Sequence, residues 1–555
     1  MSLPSTRLTW LLVAVLAGAC GALPSRAPQA RPRDSADAHI IVAELALVRG
    51  QHDVAVEEYR QATALSADPA LASRAATIAL EGSEDDVAAE VTNRWLALDS
   101  LNPAAHRAAG LAALRLSQLP RAVELIESSL TRSGAEGAQE LLEVFATLAN
   151  ESNAYGVFFI AREIADKRPD SAQAQYAAAA FALPAYNYGF AAEKAARALA
   201  LQPDFANAKR LLARALVMSG DSQRGLELAR ASAADGDIEA RLELAMLNDF
   251  SGDKGEARKI YQALTESEAA HSDALYQLAM LDFREQHYDD AAHRFTELLS
   301  LGQQVGAAFY YLGAIAERHG DHERAIRFYS RIVSGEYAVD AQLRTARLLK
   351  EGGMGQQGEE SLDAFVRDHP ESDIELAIGR SRALSDQLQH RASLELIDRY
   401  LERYPHHLDL IMQRALALDR AGRVAEAVRV LRGLVRERPD DPVTLNALGY
   451  TLVDHNQSLN EGEALVRRAL ALMPDSPAVE DSMGWMHFRR ARYADAVAVL
   501  RKAYDQAQDP EIAAHLGEAL WKLGERGQAR QVWQEGLAIS PADPYLNATL
   551  HRYAQ

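Results

Sequence analysis

The sequence predicts an all-α solenoid of paired antiparallel helices, and three observations carry that expectation. Small residues recur about every 34 positions from Ala43 to Gly517. Each is followed, in many units, by a second small residue and then a large apolar one at fixed offsets. The composition is 48% hydrophobic and rich in alanine, with no sustained alternation of Val, Ile and Thr such as a sheet needs.

Fifteen units fit the register, on Ala43, Ala79, Gly110, Ala146, Ala179, Ala213, Ala245, Ala279, Gly313, Ala346, Ser381, Ala415, Gly449, Gly484 and Gly517. A second small residue follows as Ala55, Ala122, Ala191, Ala257, Ala291, Ala325, Ala427, Ala496 and Ala529, and the large one as Tyr59, Tyr261, Phe295, Tyr329, Leu431, Leu500 and Trp533. Small residues let two helices approach, the large one fills the space between them, and a proline such as Pro203, Pro439 or Pro474 stops the second helix. Gly50, Gly220, Gly252, Gly320, Gly422 and Gly524 stand where a left-handed residue can end the first helix. This is the tetratricopeptide pattern, a helix-turn-helix unit of about 34 residues. In such an array each unit buries its apolar face on its neighbours, so 555 residues need no single central core. One long superhelix is expected, with the register slipping near residues 130–158 and at the glycine-rich turn 352–358. The organisation reads as residues 1–19, a lipoprotein signal peptide; 20–35, a tether; 36–438, a partly irregular repeat array; and 439–555, regular C-terminal repeats.

The N-terminus is a different kind of sequence. One positive side chain in residues 1–7 precedes an apolar run at 8–16, too short to cross about 30 Å of hydrocarbon, so it reads as a secretory signal. Leu16-Ala17-Gly18-Ala19-Cys20 resembles a bacterial lipobox, with Ala17 where Leu is commonest. Cys20 is the only cysteine, so it has no disulfide partner within the chain. The resemblance implies lipidation of Cys20, and the following Gly21, which is not an aspartate, implies an outer-membrane anchor facing the periplasm. Pro24, Pro28 and Pro32 with Arg26, Arg31 and Arg33 mark an extended tether.

A net charge of -19 argues against nucleic acid as a partner. Gly353-x-Gly355-x-x-Gly358 matches a dinucleotide fingerprint in letters but is expected between two helices, without the preceding strand that the phosphate turn requires. His406 and His407 are adjacent and cannot share a helical face as metal ligands at i and i+4 do. His515 and Glu518 read as a surface polar pair. No catalytic residue, metal, cofactor or small-molecule substrate is expected, and the chain is read as a binding protein rather than an enzyme.

By the register, the first helix of each unit lines the concave side, which makes Tyr276, Phe283, Tyr310, Asn446, Tyr450, Trp485, Phe488 and Trp521 the candidate partner contacts. The strings Leu445-Asn446-Ala447-Leu448-Gly449-Tyr450, Asp481-Ser482-Met483-Gly484-Trp485 and His515-Leu516-Gly517-Glu518-Ala519-Leu520-Trp521 resemble a proteobacterial family of tetratricopeptide outer-membrane lipoproteins. That family includes the lipoprotein partner of the periplasmic carboxyl-terminal processing protease. The resemblance implies an adaptor that binds the protease and delivers cell-wall hydrolases to it. An accessory lipoprotein for assembly of a secretion, pilus or exopolysaccharide export complex is the alternative.

Overall fold

The computed structural model describes residues 35–553, apart from 83, 135, 136, 235, 268–270, 541 and 542. Among the described residues the chain forms 31 α-helices, numbered α1 to α31, and no strand, so the all-α tetratricopeptide-repeat solenoid is what is found. The described residues fall into two compact units, divided between residues 67 and 68. In the first, α1 (Ala36–Val48) and α2 (His52–Ala64) form a hairpin around buried Ala43, Ala55 and Tyr59. The second holds the remaining helices mostly as successive pairs, odd numbers first and even numbers second, with α31 (Pro544–Tyr553) unpaired at the end and α7 (Gly137–Leu148) not packed on α8 (Ala154–Lys167).

The small residues act as close-approach points. A methyl group on Gly484 would lie 2.5 Å from Leu500, on Gly313 2.6 Å from Tyr329, on Gly449 2.7 Å from Val466 and on Gly110 2.8 Å from Ile126. In each case the obstacle is the large residue of the paired helix, as the register requires. The second small position behaves alike: a Cβ on Gly225 would lie 2.7 Å from the Ala213 carbonyl, and on Gly358 2.9 Å from that of Ala346. Gly358 therefore serves helix contact within α20 (Gly355–Asp368), which follows helix α19 (Ala338–Glu351) and no strand.

The turn within each pair is equally regular. Seven places after the small residue the backbone is left-handed at Gly50, Gly220, Gly252, Gly320, Gly353, Gly422 and Gly524, and also at Ser117, Tyr186, Gln286, Leu388, Asn456 and Ala491. In the turn at Gly220, the Asp221 N–H donates back five residues to the Leu216 carbonyl at 2.8 Å, the Schellman closure that a left-handed residue permits. The non-glycine residues adopt this conformation at a cost of about 1 kcal/mol each. Between pairs, Arg168, Gln202, His369, Tyr404, Arg438 and Met473 each precede a proline and leave the helix with φ between -124° and -137°.

The register breaks where the sequence slips. In α7 (Gly137–Leu148) the register residue Ala146 is exposed rather than buried, and α6 (Leu119–Arg132) packs directly on α8 (Ala154–Lys167). Gly156 of α8 takes the close contact instead, against Leu114. Tyr155, Val157, Phe158, Ile160 and Ile164 bury the face of α8 in a large apolar cluster.

Within residues 68–555 the solenoid also touches itself far along the chain. The Arg438 Nη1 donates to Ser117 Oγ at 2.9 Å. The Asp475 N–H donates to the Tyr186 carbonyl at 3.0 Å, and the Tyr188 N–H returns a bond to Asp475 Oδ2 at 2.9 Å. Arg318 donates to the Ala538 and Ile539 carbonyls at the end of α30 (Arg526–Ile539). Successive superhelical turns thus meet along a seam.

Candidate protein-binding surface

First helices of neighbouring pairs pack on one another within residues 69–115, 172–250, 338–420 and 442–553, whereas second helices, apart from α6 and α8, make no comparable contact. The first helices therefore form the tighter, inner wall, and the side chains that project from it are the candidate contacts.

In the C-terminal pairs that wall is α25 (Pro442–Asp454), α27 (Pro477–Arg489), α29 (Pro510–Leu523) and α31 (Pro544–Tyr553). Trp485 is buried, with its indole stacked between Phe488 at 4.6 Å and His515 at 4.2 Å, and its Nε1 donates to Asp454 Oδ1 at 2.9 Å. His515 is fully buried, with Nδ1 2.8 Å from Asp481 Oδ1 and Nε2 3.1 Å from the Tyr545 hydroxyl. Burial alone would pull its pKa down, but the Asp481 carboxylate, with Glu511 and Glu518 beyond it, overrides this and lifts it to about 9. The ring is an imidazolium at neutral pH, so both nitrogens donate and Asp481 and Tyr545 accept. Trp485 and the tyrosine rings of Tyr450 and Tyr545 surround that cation.

Tyr450 reaches past α27 to donate its hydroxyl to Glu511 Oε1 at 3.0 Å. Loss of solvation on the concave side pushes the pKa of the Glu511 carboxyl up, although the residue remains accessible. Glu518 is also buried, bonded by Thr549, Arg552 and the Tyr553 hydroxyl. The expected surface pair of His515 and Glu518 is therefore corrected: both side chains lie inside, each on partners one repeat away rather than on each other.

The remaining candidates fall in other places. Trp521 lies against Trp533 and Tyr553, with Arg526 and Arg530 over its ring. On α15 (His271–Arg284) and α17 (Val305–Arg318), Tyr276 packs on Phe295, and Phe283 on Tyr288 and Tyr311. Tyr310 donates its hydroxyl to Asp340 at 2.5 Å beneath the Arg344 guanidinium. Asn446 places Nδ2 3.5 Å from the Ala478 carbonyl, and its buried Oδ1 has no hydrogen-bond partner. Tyr450, Trp485 and Phe488 thus share one network and Tyr276, Phe283 and Tyr310 an aromatic cluster, while Trp521 and Asn446 stand apart. Cys20 lies outside the described residues.

Sequence reasoning missed Asp454, Asp481, Glu511 and Tyr545 as members of the network. The signal was present in the spacing: Asp481 and His515 are 34 residues apart, one period, so like-placed side chains of adjacent pairs face each other. Among the described residues no group of three or more His, Cys, Asp and Glu could hold a metal ion, and no helix is long and apolar enough to cross a membrane.

Comparison with known proteins agrees with the repeat architecture. The family profile described as Tetratricopeptide repeat matches residues 276–341 and 378–442, and a second profile of that description matches 340–372. The chain is 36% identical over 214 residues to the TPR repeat-containing protein PA4667 of Pseudomonas aeruginosa, covering 39% of this chain and 36% of that protein. It is 21% identical over 228 residues to aspartyl/asparaginyl beta-hydroxylase of Mus musculus, covering 36% of this chain and 30% of that one. The chain thus spans about a third of the length of the curated relatives it matches. Among solved structures, TTC0263, a thermophilic TPR protein in Thermus thermophilus, is 20% identical with a TM-score of 0.29, covering 32% of this chain and 96% of that one. The APC/C hetero-tetramer Cut9–Hcn1 is 15% identical with a TM-score of 0.29, covering 94% and 96%. The chain carries tetratricopeptide repeats, an architecture that generally mediates protein binding.

Proposed function

We propose that the chain is a periplasm-facing scaffold, held to the outer membrane by lipid on Cys20, that brings a carboxyl-terminal processing protease together with its cell-wall hydrolase substrates. The observation that carries the binding role is the inner wall of first helices, where aromatic side chains are half covered and the buried Asn446 Oδ1 is an unfilled acceptor suited to a partner's N–H. The protease is suggested by the strings around Gly449, Gly484 and Gly517, and the anchor by the lipobox at Cys20.

The test is a pulldown with the lipidated chain from detergent-solubilised envelope. Enrichment of a carboxyl-terminal processing protease, lost on Asn446→Ala with Tyr450→Ala while helicity is retained, is the expected result. A pulldown without such a protease ends the adaptor reading. Cys20→Ala is expected to release the chain from the outer-membrane fraction, and unchanged fractionation would show that acylation is not the tether.

A further inference from the structure

The seam joins residues that are 321, 287 and 220 positions apart, and it lacks the close approach of small residues that joins the two helices of a repeat. Neighbouring helices meet through Ala and Gly surfaces with their side chains fully buried. The seam instead consists of backbone and charged groups: Arg438 on Ser117, Asp475 on Tyr186 and Tyr188, and Arg318 on two carbonyls. Met473 joins the apolar cluster of the opposite turn, and Leu472 packs against it.

Two features make closure of this seam weakly favourable. Cavities of about 330, 370 and 450 Å³ run along it, the first walled by Tyr155, Phe159, Tyr186, Pro439 and Met473, so the two sides are not packed to interior density. Closure also strips water from charges that gain little in return. Burial pulls the pKa of the Arg438 guanidinium down, and it pushes that of Asp85, beside Arg115, up to about 6. Separation of the turns rehydrates these groups and breaks no contact within any repeat.

We infer that the seam is a reversible clasp, in which the reciprocal bonds of Asp475 with Tyr186 and Tyr188 and the bond of Arg438 to Ser117 hold adjacent superhelical turns together and their release opens a lateral way to the inner wall. The hinge is the stack of repeats itself, because a small rotation shared among several units moves the turns apart without unfolding any of them.

Spin labels at Gln118→Cys and Glu437→Cys in a Cys20→Ala background report the separation across the seam, and labels at Gln223→Cys and Lys254→Cys report neighbouring repeats on one turn. All four sites are exposed. In the full chain the expected result is a dominant short distance, with the ratio of short to long populations falling about tenfold in Asp475→Ala with Arg438→Ala, the loss of roughly two net hydrogen bonds. The control distance stays fixed. Asp475→Asn, which keeps a side-chain acceptor for the Tyr188 N–H, and Arg318→Ala, which acts at the far end, are expected to give smaller shifts of the same sign. A single short distance in all variants, or a control distance that broadens together with the seam distance, overturns the clasp.

Discussion

Replacing Gly517 by Ala tests the close-approach reading where it is tightest. The added methyl would overlap the Trp533 indole, which is 1% exposed and boxed in by Trp521 and Tyr553. The indole cannot swing away as the end of a flexible chain could, and its Nε1 donates to the Ala514 carbonyl. Overpacking of this kind costs about 1–3 kcal/mol and a strained hydrogen bond about 1 more, while Ala in place of Gly returns about 1 through helix propensity. The net expectation is destabilisation of α29 and α30 by about 2 kcal/mol. A solenoid melts in parts, so the assay must be local: native-state hydrogen exchange of amides in α29 and α30, expected to open about thirtyfold more often. Gly527→Ala is the control, since nothing lies within 4 Å of its added methyl, and it is expected to be neutral or stabilising by up to about 1 kcal/mol. If Gly517→Ala left protection unchanged while Gly527→Ala lowered it, the steric account of the repeat would be wrong.

The buried imidazolium makes the C-terminal repeats sensitive to base. His515 has a pKa raised from 6.5 to about 9, so its stabilising contribution is complete below about pH 6.5 and is lost as pH rises through about 9. The contribution is on the order of 3 kcal/mol, and His515→Gln should flatten the fall in hydrogen-exchange protection of α27 and α29 between pH 7 and 9.5. Leu388 is 75% exposed and left-handed, with φ of 60°, so Leu388→Gly is expected to stabilise its turn by up to about 1 kcal/mol in thermal melting. Ser393, buried in the small–small contact of its unit, donates to the Ser381 carbonyl at 2.9 Å and lies 2.8 Å from Ser381 Oγ. Ser393→Ala should cost about 1–2 kcal/mol in the same assay, because it removes both bonds and takes the acceptor from the buried Ser385 hydroxyl.

The repeats were legible because their determinants are local: a glycine or alanine on one helix and the indole, phenol or isobutyl group that needs its space lie about sixteen residues apart, as Gly517 and Trp533 do. The left-handed turns were half legible. Glycine announces the conformation at Gly220 or Gly524, whereas Tyr186 and Leu388 are held in it by helices on both sides and carry no such signal. The candidate site was legible as positions and not as contacts. Period and offset place Trp485 and Tyr450 on the first helices, but whether a ring faces a groove or a neighbour depends on what stands one unit away. There stand Asp454, Asp481 and Glu511, which in the sequence look like ordinary surface acids.

The seam lies beyond both kinds of reading. Its partners are paired by the pitch of the superhelix, a sum of small rotations over about six to ten repeats, and a change of a few degrees per repeat would bring different residues together. The break at α7 matters here, because α7 makes no comparable contact with the first helices on either side and falls between Ser117 and Tyr186, the two acceptor turns of the seam. Restoring the register there by substitution would leave every local contact rule satisfied while moving Tyr186 away from Asp475. The slip in the repeat pattern is therefore part of what sets the closure of the array.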